Sequence, residues 1–151
     1  MTQEISFDAL YFTCYIIERT ARGLKQRNRY VVNTIGRGEL ERLLEYADVL
    51  HCENPDSVTA DLVSGCGLTR GSYDITRVDP ALVDEIPTPL RIGKVYARLI
   101  RDTKHGGESW AEAVERIYNS ELCEVLDNYN CSAYYEPSYY IARAYFEGGF
   151  H

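Results

Sequence analysis

His51-Cys52 is the dipeptide in this chain with the most chemistry in it. A thiol beside an imidazole is the raw material of a thiolate nucleophile, and Asp48, one helical turn before Cys52, is an acid that could join them. Such a pair works only if sulfur and ring nitrogen meet in space, and consecutive residues on a helix point roughly 100° apart. Adjacency alone therefore does not make Asp48, His51 and Cys52 a catalytic site. The plainer expectation is that His51 closes a helix, where its ring bonds a free carbonyl or its charge meets the helix dipole. A metal site drawn from His51, Cys52 and Cys66, with Cys123 or Cys131, lacks the paired short spacings of zinc knuckles, so no metal is expected. Phosphate-binding loops, dinucleotide-binding glycine patterns, HExxH and GxSxG are absent from the sequence, and no cofactor is implied.

Two other groups of residues have types and spacings suited to binding. Arg91, Lys94, Arg98, Arg101 and Lys104 recur at three- and four-residue steps, which places them along one side of a helix. That stripe could meet phosphates, or the acidic residues Glu108, Glu112, Glu115, Glu121 and Glu124 that follow it. Farther on, six of the 13 tyrosines crowd into residues 129–150. Tyr134, Tyr135, Tyr139, Tyr140 and Tyr145, with Arg143, have the composition of a protein interface; packing on the core would use them equally well.

The whole-chain numbers narrow the classes. One domain fits in 151 residues, and 45% apolar with 26% charged side chains is ordinary for a globular protein. Five scattered cysteines do not read as a disulfide framework, and neither a signal peptide nor an apolar run of roughly 18–20 residues is present, so a cytoplasmic location is expected, with no membrane partner. The net charge of −7 is segregated. Residues 1–37 carry six basic and three acidic side chains, residues 91–104 five and one, and residues 105–151 two and eight. Blocks of opposite sign can pair inside the fold or between copies before any outside partner is needed.

These residues have to be positioned by helices. Ser6 caps a first helix over 7–21, and Gly23 ends it. Asn28 is a candidate cap for a short helix to Ile35, broken by Gly36-Arg37-Gly38, and a third helix follows to about Leu50. Asn54-Pro55-Asp56 is a strong start for a helix to about Ser64. Glycines and prolines interrupt residues 65–90, an irregular connector with a strand-like alternation at 73–78 and a short helix at 80–85 behind Asp79. Regular periodicity returns over 91–105. Ser109-Trp110-Ala111-Glu112 is a capping box, Asn119-Ser120 bends or divides the helix behind it, and a last helix covers 138–147. The fold expected is all-α: a bundle of about six or seven helices, with halves at 1–64 and 91–151 joined by the connector, as one compact domain.

Leu10-Tyr11-Phe12, the run from Leu43 through Tyr46-Ala47-Asp48 to His51, and Val58-Thr59-Ala60-Asp61-Leu62-Val63 resemble a family of short helical bacterial proteins of unknown function. The family pairs a Tyr-Asp-x-Leu-His-like helix end with an acidic helix; here Ala47 separates the Tyr and the Asp. The resemblance covers about residues 6–64 and carries no catalytic residues. Some members lie beside predicted toxin genes, which implies an antitoxin-like or other interaction role. The leading expectation is thus a cytoplasmic protein-interaction module, binding itself or another protein. Nucleic-acid binding through Arg91–Lys104 and a cysteine-dependent enzyme around His51 and Cys52 are the alternatives.

Overall fold

A computed structural model describes residues 4–150. Eight α-helices follow one another: α1 (Phe7–Leu24), α2 (Asn28–Glu45), α3 (Ala47–Leu50), α4 (Pro55–Cys66), α5 (Pro89–Thr103), α6 (Trp110–Tyr118), α7 (Glu121–Leu126) and α8 (Ser138–Glu147), with a 3-10 turn at Ala133–Tyr135. No strand forms among the described residues, and none of their helices is long and apolar enough to cross a membrane.

Local chemistry accounts for most boundaries. Ser6 Oγ accepts from Ala9 N at 3.1 Å, and Asn54 Oδ1 from Asp56 N at 2.9 Å. Ser109 and Glu112 exchange backbone and side-chain bonds, both of 3.1 Å, closing the capping box. Thr88 caps α5 the same way, accepting from Arg91 N at 3.1 Å, with Pro89 as the first helical residue. Asn119 ends α6 and Ser120 precedes α7, so the expected division falls where the sequence placed it.

Other expectations are corrected. Residues 73–78 form no strand but an irregular stretch with one turn at Ile75-Thr76, where Asp74 Oδ1 accepts from Thr76 N at 3.0 Å and Thr76 Oγ1 at 2.6 Å, local bonds in place of strand pairing. Behind Asp79 only one turn forms, since a single hydrogen-bonded turn does not nucleate a helix and Pro87 and Pro89 follow closely. The break expected at Gly36-Arg37-Gly38 is present inside α2, where Gly36 takes φ +80° and ψ 172°, a conformation that favours glycine. α2 also stops at Glu45, leaving 47–50 as a separate turn of helix. The first helix runs past Gly23 to Leu24, and Lys25 takes the left-handed cap. Asn28 is no cap: Arg27 holds that place, and the Asn28 side chain is fully buried.

One core joins both halves. Ile16, Ile17, Val31, Val32, Leu40 and Leu43 from the first half pack with Ile92, Leu99, Ile100, Val114, Ile117 and Leu126 from the second. The tyrosines are not only rims, because Tyr96, Tyr118 and Tyr129 are completely buried. Tyr96 stacks on Tyr118 at 4.3 Å between ring centroids, and the Tyr118 hydroxyl lies beside the Cys14 thiol, which burial pushes up to about 12.

α1 packs along α5, and the approach is close because Gly93 has no side chain. A Cβ there would sit 2.8 Å from Tyr15 N and 2.9 Å from Tyr15 Cα, against backbone that has no rotamer to change. Gly93→Ala is therefore expected to lower the denaturant midpoint, costing about 1–3 kcal/mol with the m-value unchanged. An unaltered midpoint would show that the two helices part freely.

Candidate functional site

The end of α3 brings His51 and Cys52 together after all. His51 Nδ1 donates to Ala47 O at 3.0 Å, which leaves Nε2 as the bare nitrogen, and Cys52 Sγ lies 3.8 Å from it. Asp48 does not orient the ring; its carbonyl instead receives the Cys52 thiol at 3.7 Å. Both His51 and Cys52 are exposed. No buried donor pair stands by to stabilise an oxyanion, and water reaches the sulfur freely, so the arrangement is that of a helix end.

The densest polar chemistry lies deep in the bundle. Glu18, completely buried on α1, accepts from Arg22 Nε at 2.6 Å and Tyr129 OH at 2.7 Å on one oxygen. Its other oxygen accepts from Asn28 Nδ2 at 2.8 Å. The same amide nitrogen donates to the Asp127 carboxylate at 3.2 and 3.3 Å, and Tyr96 OH donates to Asp127 Oδ1 at 2.6 Å. Cys123 Sγ completes the Asp127 shell at 3.4 Å. Burial, and then the charge of Glu18, raise the Asp127 carboxyl to about 7. Two carboxylates with one raised is a pattern that acid–base sites share, but neither of the two grooves described below is lined by either of them. The sequence carried a signal for this cluster: Glu18 falls four residues after Cys14, and Asp127 four after Cys123, each on an apolar stripe.

Part of the surface charge settles into ion pairs. Arg27 and Arg29 meet Glu124 at 3.0 and 3.2 Å, Arg37 meets Glu115 at 2.9 Å and Glu112 at 3.9 Å, and Arg116 meets Glu108 at 2.8 Å. The acidic C-terminal helices are thus neutralised largely by the basic N-terminal block, not by the α5 stripe. Arg101 turns to Asp102 at 3.0 Å and lies over the Phe7 ring, while Lys104 sits over Trp110. Arg91, Lys94 and Arg98 have no carboxylate ion pair among the described residues.

Those three cations line a groove of about 360 Å³ with Tyr134, Tyr135, Glu136 and Ile141. The Arg91 guanidinium lies 3.8 Å from the centre of the Tyr135 ring and 5.9 Å from that of Tyr134. Basic stripe and tyrosine cluster, separate in sequence, share this wall. The remaining tyrosines disperse. Tyr145 accepts from Arg116 Nη1 at 2.7 Å, Tyr140 stacks on Phe150 beneath Arg143, and Tyr139 is 72% exposed outside the groove. A larger groove of about 610 Å³ opens between the start of α1, the end of α2 and α3. Its floor is Tyr11, Phe12, Tyr15 and Leu44, with the half-exposed Leu90 at its edge; Glu4, Asp8, Glu45 and Asp48 rim it, with His51 at one side. Of its lining, only Asp48 and His51 are candidate site residues by sequence; Cys52 lies outside it.

Comparison with family models, curated proteins and solved structures finds no match to this chain. The geometry alone ranks the sites. Among the described residues no cluster of His, Cys, Asp and Glu has the makings of a metal site.

Two predictions follow from these environments. Alkylation of the native chain should modify Cys52 well before the buried Cys14 and Cys123, and His51→Ala should leave the Cys52 rate within about twofold; a fall of about tenfold or more would restore the nucleophile reading. For Asp127, the folded chain holds a proton up to about 7 against 3.8 in the unfolded chain. Its contribution to stability therefore fades as pH rises from about 4 to about 7. Glu108 and Glu112, held low by Arg116 and by the Ser109 backbone, act in the opposite sense below about 4.5. Asp127 faces Glu18, Asn28, Tyr96, Cys123 and Tyr129, and Tyr73 lies within its electrostatic reach. Asp127→Asn should flatten the stability curve between about pH 5 and 7, and an unchanged slope would place that proton elsewhere.

Proposed function

We propose that this protein is a non-enzymatic, cytoplasmic interaction module whose binding face is the Arg91–Lys94–Arg98 groove with Tyr134 and Tyr135, and whose ligand is an acidic segment of a protein. The single observation behind this reading is that three cations without carboxylate partners converge with tyrosine rings in one concave site. Desolvating such cations without an anion is costly, so the groove is poised to accept carboxylates. Tyr135 adds a rigid aromatic wall, and Arg with Tyr is the composition of interface anchors.

A nucleic acid is a poorer fit. The stripe that would track a phosphate backbone is cut short, since Arg101 is paired with Asp102 and Lys104 lies over Trp110. Glu136 lines the same groove, and the chain as a whole carries −7. Three cations in a short concavity match a compact acidic segment instead.

Fluorescence anisotropy tests the choice, using a labelled acidic peptide bearing aromatic residues beside a single-stranded oligonucleotide of equal charge. The peptide should bind, weaken between about 50 and 500 mM salt, and lose about tenfold in affinity on combined Arg91→Ala and Arg98→Ala. Tighter binding of the oligonucleotide would replace the reading with a nucleic-acid one. Binding of neither probe would overturn it.

A further inference from the structure

The two grooves adjoin. Leu90 lines the acid-rimmed groove and Arg91, the next residue, lines the basic one, so the first turn of α5 is the ridge between them. Lys94 of the basic groove places its Nζ 5.8 Å from the centre of the Tyr11 ring, which belongs to the floor of the acidic groove. One continuous face therefore carries a positive half and a negative half. Neither half is neutralised internally: Glu4, Asp8, Glu45 and Asp48, like Arg91, Lys94 and Arg98, form no ion pair among the described residues. Leu90 and Tyr135 each present half of their surface to solvent on this face.

A patch divided into adjoining positive and negative halves is its own complement. Turned about a two-fold axis through its middle, it lays each half on the opposite half of a second copy, which is the requirement of an isologous interface. We infer that the partner of this face is a second copy of the same chain, docked across a two-fold axis near the start of α5. The acid-rimmed groove of each protomer then receives the basic groove of the other. The inference rests on the basic groove being the binding face proposed above, and it identifies the acidic segment with the Glu45–Asp48 rim. Leu90, at the ridge between the halves, lies near the axis and pairs with its own copy, giving the interface an apolar centre ringed by charge. The arrangement also closes: each copy uses its whole face on one partner, and no filament follows.

The experiment is sedimentation velocity on the full chain and two charge-swapped variants. Lys94→Glu with Arg98→Glu reverses two of the three cations of the basic half; Glu45→Lys with Asp48→Lys reverses two of the four acids of the other half. The natural chain should be dimeric at about 100 µM, with a dissociation constant that weakens in high salt. Each variant alone should be monomeric, and an equimolar mixture of the two should recover a 1:1 heterodimer, because both halves of that interface are again complementary. Recovery on mixing also shows that each variant is folded. A milder pair, Lys94→Gln with Arg98→Gln, should raise the dissociation constant by about tenfold. A natural chain monomeric at that concentration, variants that stay dimeric, or a mixture that stays monomeric would each overturn the inference. A monomer that still binds the acidic peptide removes only the second copy as partner; a monomer that binds no peptide removes the binding face as well.

Discussion

Everything in this bundle is arranged to keep one charge out of water. Glu18 has no exposure at all, and an unpaired carboxylate at that depth would cost several kcal/mol. It is held by a guanidinium from its own helix, a phenol from beyond α7 and an amide from the first residue of α2. Each donor fixes something larger. Arg22, one turn along α1, also donates to Pro87 O at 2.7 Å and so ties down the segment that leads into α5. Asn28 is drawn inward, which sets how α2 leaves the turn after α1, and its second contact pulls in Asp127 at the end of α7. Tyr96 reaches the same carboxylate from α5. Four helices and two connections thus converge on two acids. One amide nitrogen bridges the two acids, and removing it would leave buried carboxyl oxygens without that donor.

The same accounting explains why the outer surface is uneven. Charges near the axis of the bundle are satisfied by hydrogen bonds of fixed geometry, and the N-terminal arginines spend themselves on α6 and α7. Among the charges left without an ion pair, Arg91, Lys94 and Arg98 of α5 lie beside Glu4, Asp8, Glu45 and Asp48 at the open ends of α1 and α2. Exposed ion pairs contribute little to stability, so nothing in folding demanded that these charges be paired. They are free to serve recognition, where complementarity of sign governs partner choice and encounter rate more than it governs affinity.

Much of this was legible in the sequence, and the parts that were not share a cause. Caps at Ser6, Asn54 and Ser109, the break at Gly36 and the division at Asn119-Ser120 depend on a few adjacent residues, and local chemistry decided them. Asn28 looked like a cap by the same local rules, but a long-range partner with two charges to satisfy outbid the backbone. The α5 stripe was visible as a periodicity; which of its members would stay unpaired depended on Asp102, Phe7 and Trp110. The larger groove was invisible, since its walls come from residues as far apart as Ile5, Leu44 and Leu90. Spacing finds what one helix presents, and a site assembled from several helices needs their packing.

Gly93 connects that packing to the binding face. Its missing side chain lets α5 lie against the backbone of α1 at Tyr15, one turn beyond Tyr11. At a longer distance Lys94 would no longer reach over the Tyr11 ring, and the acid-rimmed groove and the basic wall would be separated by a gap between two helices. The grooves are neighbours because the helices touch. A position that reads as a weak point in α5, glycine in a helix interior at a cost of roughly 1 kcal/mol, is what makes the two charged halves a single surface. Stability lost within one helix is recovered in the contact between two, and the polarity of the exposed face is a consequence of that contact.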